Sequence, residues 1–177
     1  MKTSQPRGPV RLNFWSSIAA VVPLGLMPKA PGTFGSLAGI PVGLLFYYYG
    51  EMLAARWGLA AWLLQVFFLA LLGVLSWWSI EQTEKFWNTH DDGRIVIDEV
   101  LGQAIPLSLM AADWKIVLIA FALFRFFDIV KPGPIGWADR ELPGAWGTLI
   151  DDVIAGVFAW IVLASGHALF LFLQKPE

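Results

Sequence analysis

Long stretches of the chain carry no charge, and their lengths set the first expectations. Residues 57–80 are 24 consecutive uncharged positions holding one glutamine, Gln65. At the usual helical rise that run is roughly 36 Å long, enough to cross a bilayer. Residues 153–174 give a second uncharged run of 22, interrupted only by His167, and residues 34–50 a shorter one of 17. Two buried helices of a soluble core are a poor alternative, because so small a chain could not cover both on all sides. A small loop holding Glu51 and Arg56 is expected between the first span and the second. Polar sequence over 81–99 predicts the first substantial loop. Two weaker apolar pieces follow, 100–112 and 114–129, hinged at Asp113, and then a loop over 131–152 rich in Gly and Pro. No internal repeat or low-complexity tract is present.

Ahead of these runs, Lys2, Arg7 and Arg11 precede an apolar stretch over 12–26 that superficially resembles a signal peptide. Pro23, Gly25 and Pro28 break it, and no convincing small-x-small cleavage site follows. It reads as a retained helix lying on the membrane surface or partly inserted. The expected fold class is all-α: a polytopic integral membrane protein forming one membrane-embedded domain over residues 1–177. Four or five membrane-inserted helices are expected, plus the N-terminal interfacial helix.

Composition supports this. The chain is 57% hydrophobic and only 15% charged, with a mean hydropathy of +0.62, whereas a soluble domain is about a quarter charged. A net charge of -2 gives no reason to expect nucleic acid as a partner. The absence of cysteine excludes disulfides, thiolate zinc sites and cysteine nucleophiles.

The hinge at Asp113 decides topology. If 100–129 crossed once, the acidic loops before and after it would lie on opposite faces; as a hairpin, they share one. With a hairpin, one face collects Lys2, Arg7, Arg11, Lys29, Lys85, Arg94, Arg125, Lys131 and Arg140, and the other Arg56, Lys115 and Lys175. That is nine against three of the 12 basic residues, a bias that puts the acidic loops in the cytoplasm. The 13 residues of 100–112 extend only about 20 Å as a helix, so a short or partly re-entrant hairpin is expected, shielded from lipid by its neighbours.

Charge then concentrates on that one face: Asp98-Glu99, then Arg125, Asp128 and Lys131, then Asp139-Arg140 with Asp151-Asp152. Arg125, Asp128 and Lys131 recur at three-residue spacing and are expected on one side of a helix ending at Pro132. Ionisable groups near a span are expensive and usually functional. Each has a structural alternative. Thr148 and Asp151 could form a capping-box variant, Arg125 and Asp128 an ion pair, and Asp98-Glu99 a solvated loop end. Carboxylate oxygens are hard ligands suited to Mg²⁺, and cations beside them suggest a phosphate. The bilayer surface suggests that this phosphate belongs to a lipid. His90 and His167 fit no His-based lipid-phosphatase pattern. No Asp-x-Asp-x-Thr motif and no Asp-Gly-x-x-Ala-Arg motif occurs. Carboxylate-held Mg²⁺ with an in-line attacking water remains.

Three segments in order carry a more specific signal. They are Pro31-Gly32-Thr33-Phe34-Gly35-Ser36, then Asp98-Glu99-Val100-Leu101-Gly102, then a long block. The block runs from Phe124 through Arg125, Asp128, Lys131-Pro132-Gly133-Pro134 and Asp139-Arg140 to Gly144, Gly147, Ile150-Asp151-Asp152 and Ala155-Gly156. Over residues 31–156 the chain resembles the phosphatidylglycerophosphatase A family, with one departure: Ala145 where a second glycine is expected after Gly144. The resemblance implies a Mg²⁺-dependent enzyme of the bacterial inner membrane that converts phosphatidylglycerophosphate to phosphatidylglycerol at the cytoplasmic face. It implies Asp98, Glu99, Asp128, Asp151 and Asp152 as magnesium ligands and water-positioning acids, with Asp139 a further candidate. Arg125, Lys131 and Arg140 become phosphate or head-group contacts. Thr33 and Ser36 are candidates for a second phosphate-binding loop at a helix start, with a plain helix cap as the alternative. A small carrier or a structural membrane subunit stays open as a different class of function; a carrier's charges should lie near the midplane, whereas these lie at helix ends. Oligomeric state is not set by the sequence.

Overall fold

The computed structural model describes residues 11–111 and 113–174, and among these the chain is helical throughout, without a strand. Seven α-helices follow in order: α1 (Phe14–Ala19), α2 (Pro31–Trp57), α3 (Ala61–Trp87), α4 (Ile97–Ser108), α5 (Trp114–Val130), α6 (Pro134–Glu141) and α7 (Ala145–Leu173), with a 3₁₀ turn at Leu24–Leu26. Lys2, Arg7 and Lys175 fall outside the described residues.

Three helices, α2, α3 and α7, are long and apolar enough to cross a membrane. α3 leaves Phe67 and Val74 exposed and α7 leaves Ile161 and Phe172 exposed, apolar surface that lipid or another protein would cover. The protein is a helical membrane protein.

Both polar loops are shorter than the charge pattern suggested. α3 continues to Trp87, so Glu81, Glu84 and Lys85 are helical, and Lys85 pairs with Glu81 one turn back at 2.7 Å. Glutamate and lysine are good helix formers, so a run of charge ends the apolar stretch without ending the helix. α2 likewise runs through Glu51 and Arg56 to a left-handed cap at Gly58. In the second loop, α6 and the start of α7 occupy most of 134–152. At the N-terminus the apolar stretch yields only the six residues of α1, capped by Asn13, whose Oδ1 accepts from the Ser16 N–H at 2.8 Å. The chain turns at residues 20–23 where Pro23 ends the helical pattern.

Every residue of α4 is buried. Its 12 residues, about 18 Å of helix, are enclosed by α2, α3, α5 and α7. Glycines make that enclosure tight. Gly35, Gly39 and Gly43 of α2 meet Val96, Val100 and Ala104 in turn, and a Cβ on Gly39 would lie 2.6 Å from the Val100 carbonyl oxygen. On the other side Gly156 of α7 lies against the Gly102 carbonyl. Small residues at such contacts let membrane helices approach closely. The order of the contacts shows that α2, α4 and α7 run in the same direction, with their N-termini together. α5 returns antiparallel, joined to α4 through residues 109–113. Asp113 starts it by accepting from the Lys115 and Ile116 N–H groups, each at 2.9 Å.

Candidate active site

Three helix N-termini therefore meet at one end of the bundle, and the acids are carried there. Asp98 and Glu99 lie in the first turn of α4. Asp152 lies in the second turn of α7. Carboxylate oxygens of Asp98, Glu99 and Asp152 fall within 4.8 Å of one another, and all three residues are at least 97% buried. Asp128 and Asp151 also lie close enough for their charges to act on Asp152. Helix N-termini carry partial positive charge and unsatisfied N–H groups, so this convergence lowers the cost of gathering carboxylates and would also favour a bound anion.

Arg125 is tethered beside this group. Its Nη1 donates to Asp128 Oδ2 at 2.6 Å and to Ser36 Oγ at 3.2 Å, and Ser36 donates in turn to the Gly32 carbonyl at 2.9 Å. Gly32 lies where a Cβ would run into Glu99, so the first turn of α2 comes up against the acids through a residue without a side chain. Thr33, one residue on, is half-buried with its N–H bonded to the Ala30 carbonyl.

Lys131 takes a different direction from the one its spacing suggested. It is the left-handed C-cap of α5, φ 49°, and does not continue the face of Arg125 and Asp128. Pro132 behind it disfavours the right-handed helical conformation. Its Nζ bridges Asp139 of α6 and Asp151 Oδ2 of α7, the latter at 2.6 Å. Burial opposes the lysine's charge, but the charges of Asp151 and Asp139 and the hydrogen bonds to both outweigh it and hold its pKa above the ordinary lysine range. For Asp139 burial pushes upward, and the Lys131 hydrogen bond and charge outweigh it and hold the carboxyl below its usual range. Arg140 is exposed, folded back along α6 past Gly136.

The capping box of Thr148 and Asp151 does not form. α7 begins three residues earlier, at Ala145 behind Gly144, whose φ is 57°. The left-handed position falls on the glycine, so Ala145 is accommodated as an ordinary first helical residue. Thr148 instead donates to Glu84 Oε1 at 3.1 Å, and the Asp91 N–H donates to the same oxygen at 3.0 Å, tying the last turn of α3 to the first of α7. Sequence reasoning missed Glu84 because it was placed in a loop. It also passed over Gln103, one turn along α4 from Glu99, which is fully buried with neither end of its carboxamide hydrogen-bonded among the described residues. An amide one turn beyond Asp98-Glu99, within the apolar run of 100–112, is the signal that could have found it.

A bundle that collects carboxylates and a tethered guanidinium where its helices end belongs to the class of membrane proteins that handle charged groups at the lipid surface. Comparison with known proteins makes this specific. The profile of the family described as phosphatidylglycerophosphatase A matches residues 17–167, and the chain belongs to that family. It is 41% identical over 158 residues to phosphatidylglycerophosphatase A of Escherichia coli, covering 88% of this chain and 85% of that protein. It is also 41% identical over 140 residues to phosphatidylglycerophosphatase A of Haemophilus influenzae, covering 78% and 80%. A Bacteroides thetaiotaomicron protein provisionally named a phosphatidylinositol-3-phosphatase is 35% identical over 144 residues, covering 79% and 85%. No solved structure matches. The protein is thus an enzyme, a phosphoric monoester hydrolase, and not a carrier or structural subunit.

Proposed function

We propose that this enzyme removes the terminal phosphate of phosphatidylglycerophosphate, leaving phosphatidylglycerol, at the cytoplasmic face of a bacterial inner membrane. The observation that carries the reading is the buried approach of Asp98, Glu99 and Asp152 at the shared N-terminal end of α2, α4 and α7. The donor set is all oxygen and strongly anionic, which fits Mg²⁺ and not a soft metal. Asp98, Glu99 and Asp152 would hold the ion, which when bound supplies Lewis-acid polarisation of the phosphoryl group.

The chain's own residues divide the remaining work. Arg125, held by Asp128 and Ser36, offsets the charge of the phosphate and orients it. The convergent helix N-termini add N–H groups and a favourable field. Water adds to phosphorus as the P–O bond to the lipid glycerol breaks, in line with the attack. The carboxylates accept a proton from the attacking water and pass it to the departing oxygen, which leaves as a hydroxyl, while the water's other proton stays on the released phosphate. Lys131, held by Asp139 and Asp151, positions α6 and the start of α7 and occupies Asp151 Oδ2.

Five membrane-inserted helices fit this arrangement: α2, α3 and α7 as crossings, and α4–α5 as a hairpin that dips in and returns. Arg11, Lys29, Lys85, Arg94, Arg125, Lys131 and Arg140 then share the site's end, and Arg56 and Lys115 the other, a bias that supports a cytoplasmic site. The native chain has no cysteine, so single cysteines placed at Gly136 and Arg56 report sidedness cleanly. Gly136 is expected to label from the cytoplasm and Arg56 from outside. Purified enzyme in mixed micelles is expected to release phosphate from phosphatidylglycerophosphate, to stop with EDTA and to recover with Mg²⁺. Undiminished turnover in metal-free buffer would sink the metal assignment. Faster release from phosphatidylinositol 3-phosphate would overturn the head-group assignment.

A further inference from the structure

An apolar groove of about 490 Å³ runs between α3 and α7 with α4 as its floor. Its register is set by the helices that line it. Trp77 and Trp146 stand at the acid-bearing end, their rings 5.2 Å apart, and Val66, Leu109 and Val157 lie at the other. Along α3 the distance from Trp77 to Val66 is about 17 Å of helix. Two of its residues adjoin the acids along their own helices: Leu101 is one turn from Asp98 on α4, and Leu149 one turn from Asp152 on α7. The groove therefore begins beside the candidate site and leads away from it, toward the membrane interior.

Its walls are two helices of membrane-spanning length, so what reaches it laterally in a bilayer is a lipid chain. Tryptophans favour the membrane–water interface, and Trp77 and Trp146 mark that end of the groove. We propose that this groove seats one acyl chain of the phospholipid substrate itself, so that the chain positions the phosphomonoester against Asp98, Glu99 and Asp152. The inference rests on the lipid-phosphatase reading and adds to it a binding site for the tail.

Gly73 gives a way to test it. It lines the groove, and a Cβ there would make only an ordinary contact, 3.7 Å from Leu101 Cδ2, so a larger side chain extends into the groove without displacing backbone. Gly73→Phe is compared with the native enzyme on one lipid phosphomonoester carrying either two 18-carbon or two 6-carbon chains. The ratio of kcat/KM for long over short chains is expected to fall by about tenfold or more, chiefly through KM. Leu71→Phe, on the exposed face of α3 outside the groove, is expected to keep the native ratio. An unchanged ratio in Gly73→Phe overturns the proposal, as does a shift in oligomeric state with both substrates unaffected, which would make the groove a protein interface. A second arm needs no variant: a long-chain substrate with a terminal diazirine is photolysed on the native enzyme. Labelling within 66–74 or 153–157, competed by unlabelled substrate and not by phosphatidylcholine, supports the proposal. Labelling elsewhere, or equal competition by phosphatidylcholine, overturns it. Native enzyme that hydrolyses neither chain length removes the lipid-phosphatase reading instead, so the two failures are distinguishable.

Discussion

Asp151 and Asp152 are adjacent in the chain and belong to two differently built regions. Asp152 joins Asp98 and Glu99 in a buried group of like charge, while Asp151 joins Asp139 around the ammonium of Lys131. Neighbours on a helix point about 100° apart, so one step along α7 separates them. Gathering buried carboxylates is expensive, and the cost falls when a cation is taken up. A lysine bridging two acids has already met that need and instead fastens α5, α6 and α7 to one another. The difference teaches that adjacent acids can face different partners, one a group of carboxylates and the other a lysine.

The largest effect that would test this contrast comes from neutralising the pair one at a time. Asp152→Asn is expected to lower kcat by about a thousandfold or more, several kcal/mol of transition-state stabilisation, with the melting temperature in detergent kept. Asp151→Asn is expected to retain turnover within about tenfold. Equal losses in phosphate-release assays would erase the distinction between the two regions.

Next in size is Lys131→Met, which leaves Asp139 and Asp151 facing each other without their bridge. Breaking a buried pair is strongly destabilising, but the Lys131 side chain keeps 22% of its exposure, so the expected loss is reduced to about 1–3 kcal/mol. Lys131→Arg should recover part of it in thermal melts, and a variant as stable as the native enzyme would show that the lysine does not brace.

The pH dependence of stability follows from the same pair. Asp139 has a folded pKa below its ordinary 3.8, so its contribution is complete above that value and is lost as pH falls through the lower folded one. Lys131 is raised above its ordinary 10.5, so its contribution is complete below that value and is lost only as pH rises past the folded one. The brace is thus insensitive to pH between these limits. Thermal melts should show an acid-side loss below about pH 4 that Asp139→Asn flattens; an unaltered acid limb would remove Asp139 from the brace.

The smallest expected effect concerns Gln103. Replacing two polar ends that have no partner among the described residues by an apolar group of similar length, Gln103→Met, should stabilise the fold by about 1 kcal/mol. A marked loss of stability would show that the amide is satisfied within the folded protein.

Much of this was legible in the chain. Uncharged runs set the three long helices, because a bilayer demands length and tolerates little charge. Asp113 between two short apolar pieces gave the hairpin, and the hairpin implied that Asp98, Asp128 and Asp152 share an end. Helix ends were not legible, since Glu81, Glu84 and Lys85 look like loop in a charge pattern yet suit a helix leaving the membrane. Nor were the separate destinations of Asp151, Asp152 and Lys131. Spacing fixes their relative angles on a helix, but not what α6 brings alongside or how Pro132 turns the lysine away.

The complete burial of α4 has a consequence for how the enzyme is made. A helix of 12 residues bearing Asp98, Glu99 and Gln103 is too short and too polar to settle in a bilayer by its own hydropathy. It is lodged only where other helices wall it in, and one of those walls, α7, follows α4 in the chain with α5 and α6 between them. Since α7 carries Asp152, a nascent chain cannot bring Asp98, Glu99 and Asp152 together until α7 has been made. The order of translation therefore delays the gathering of these buried acids until the helices that wall in α4 are present.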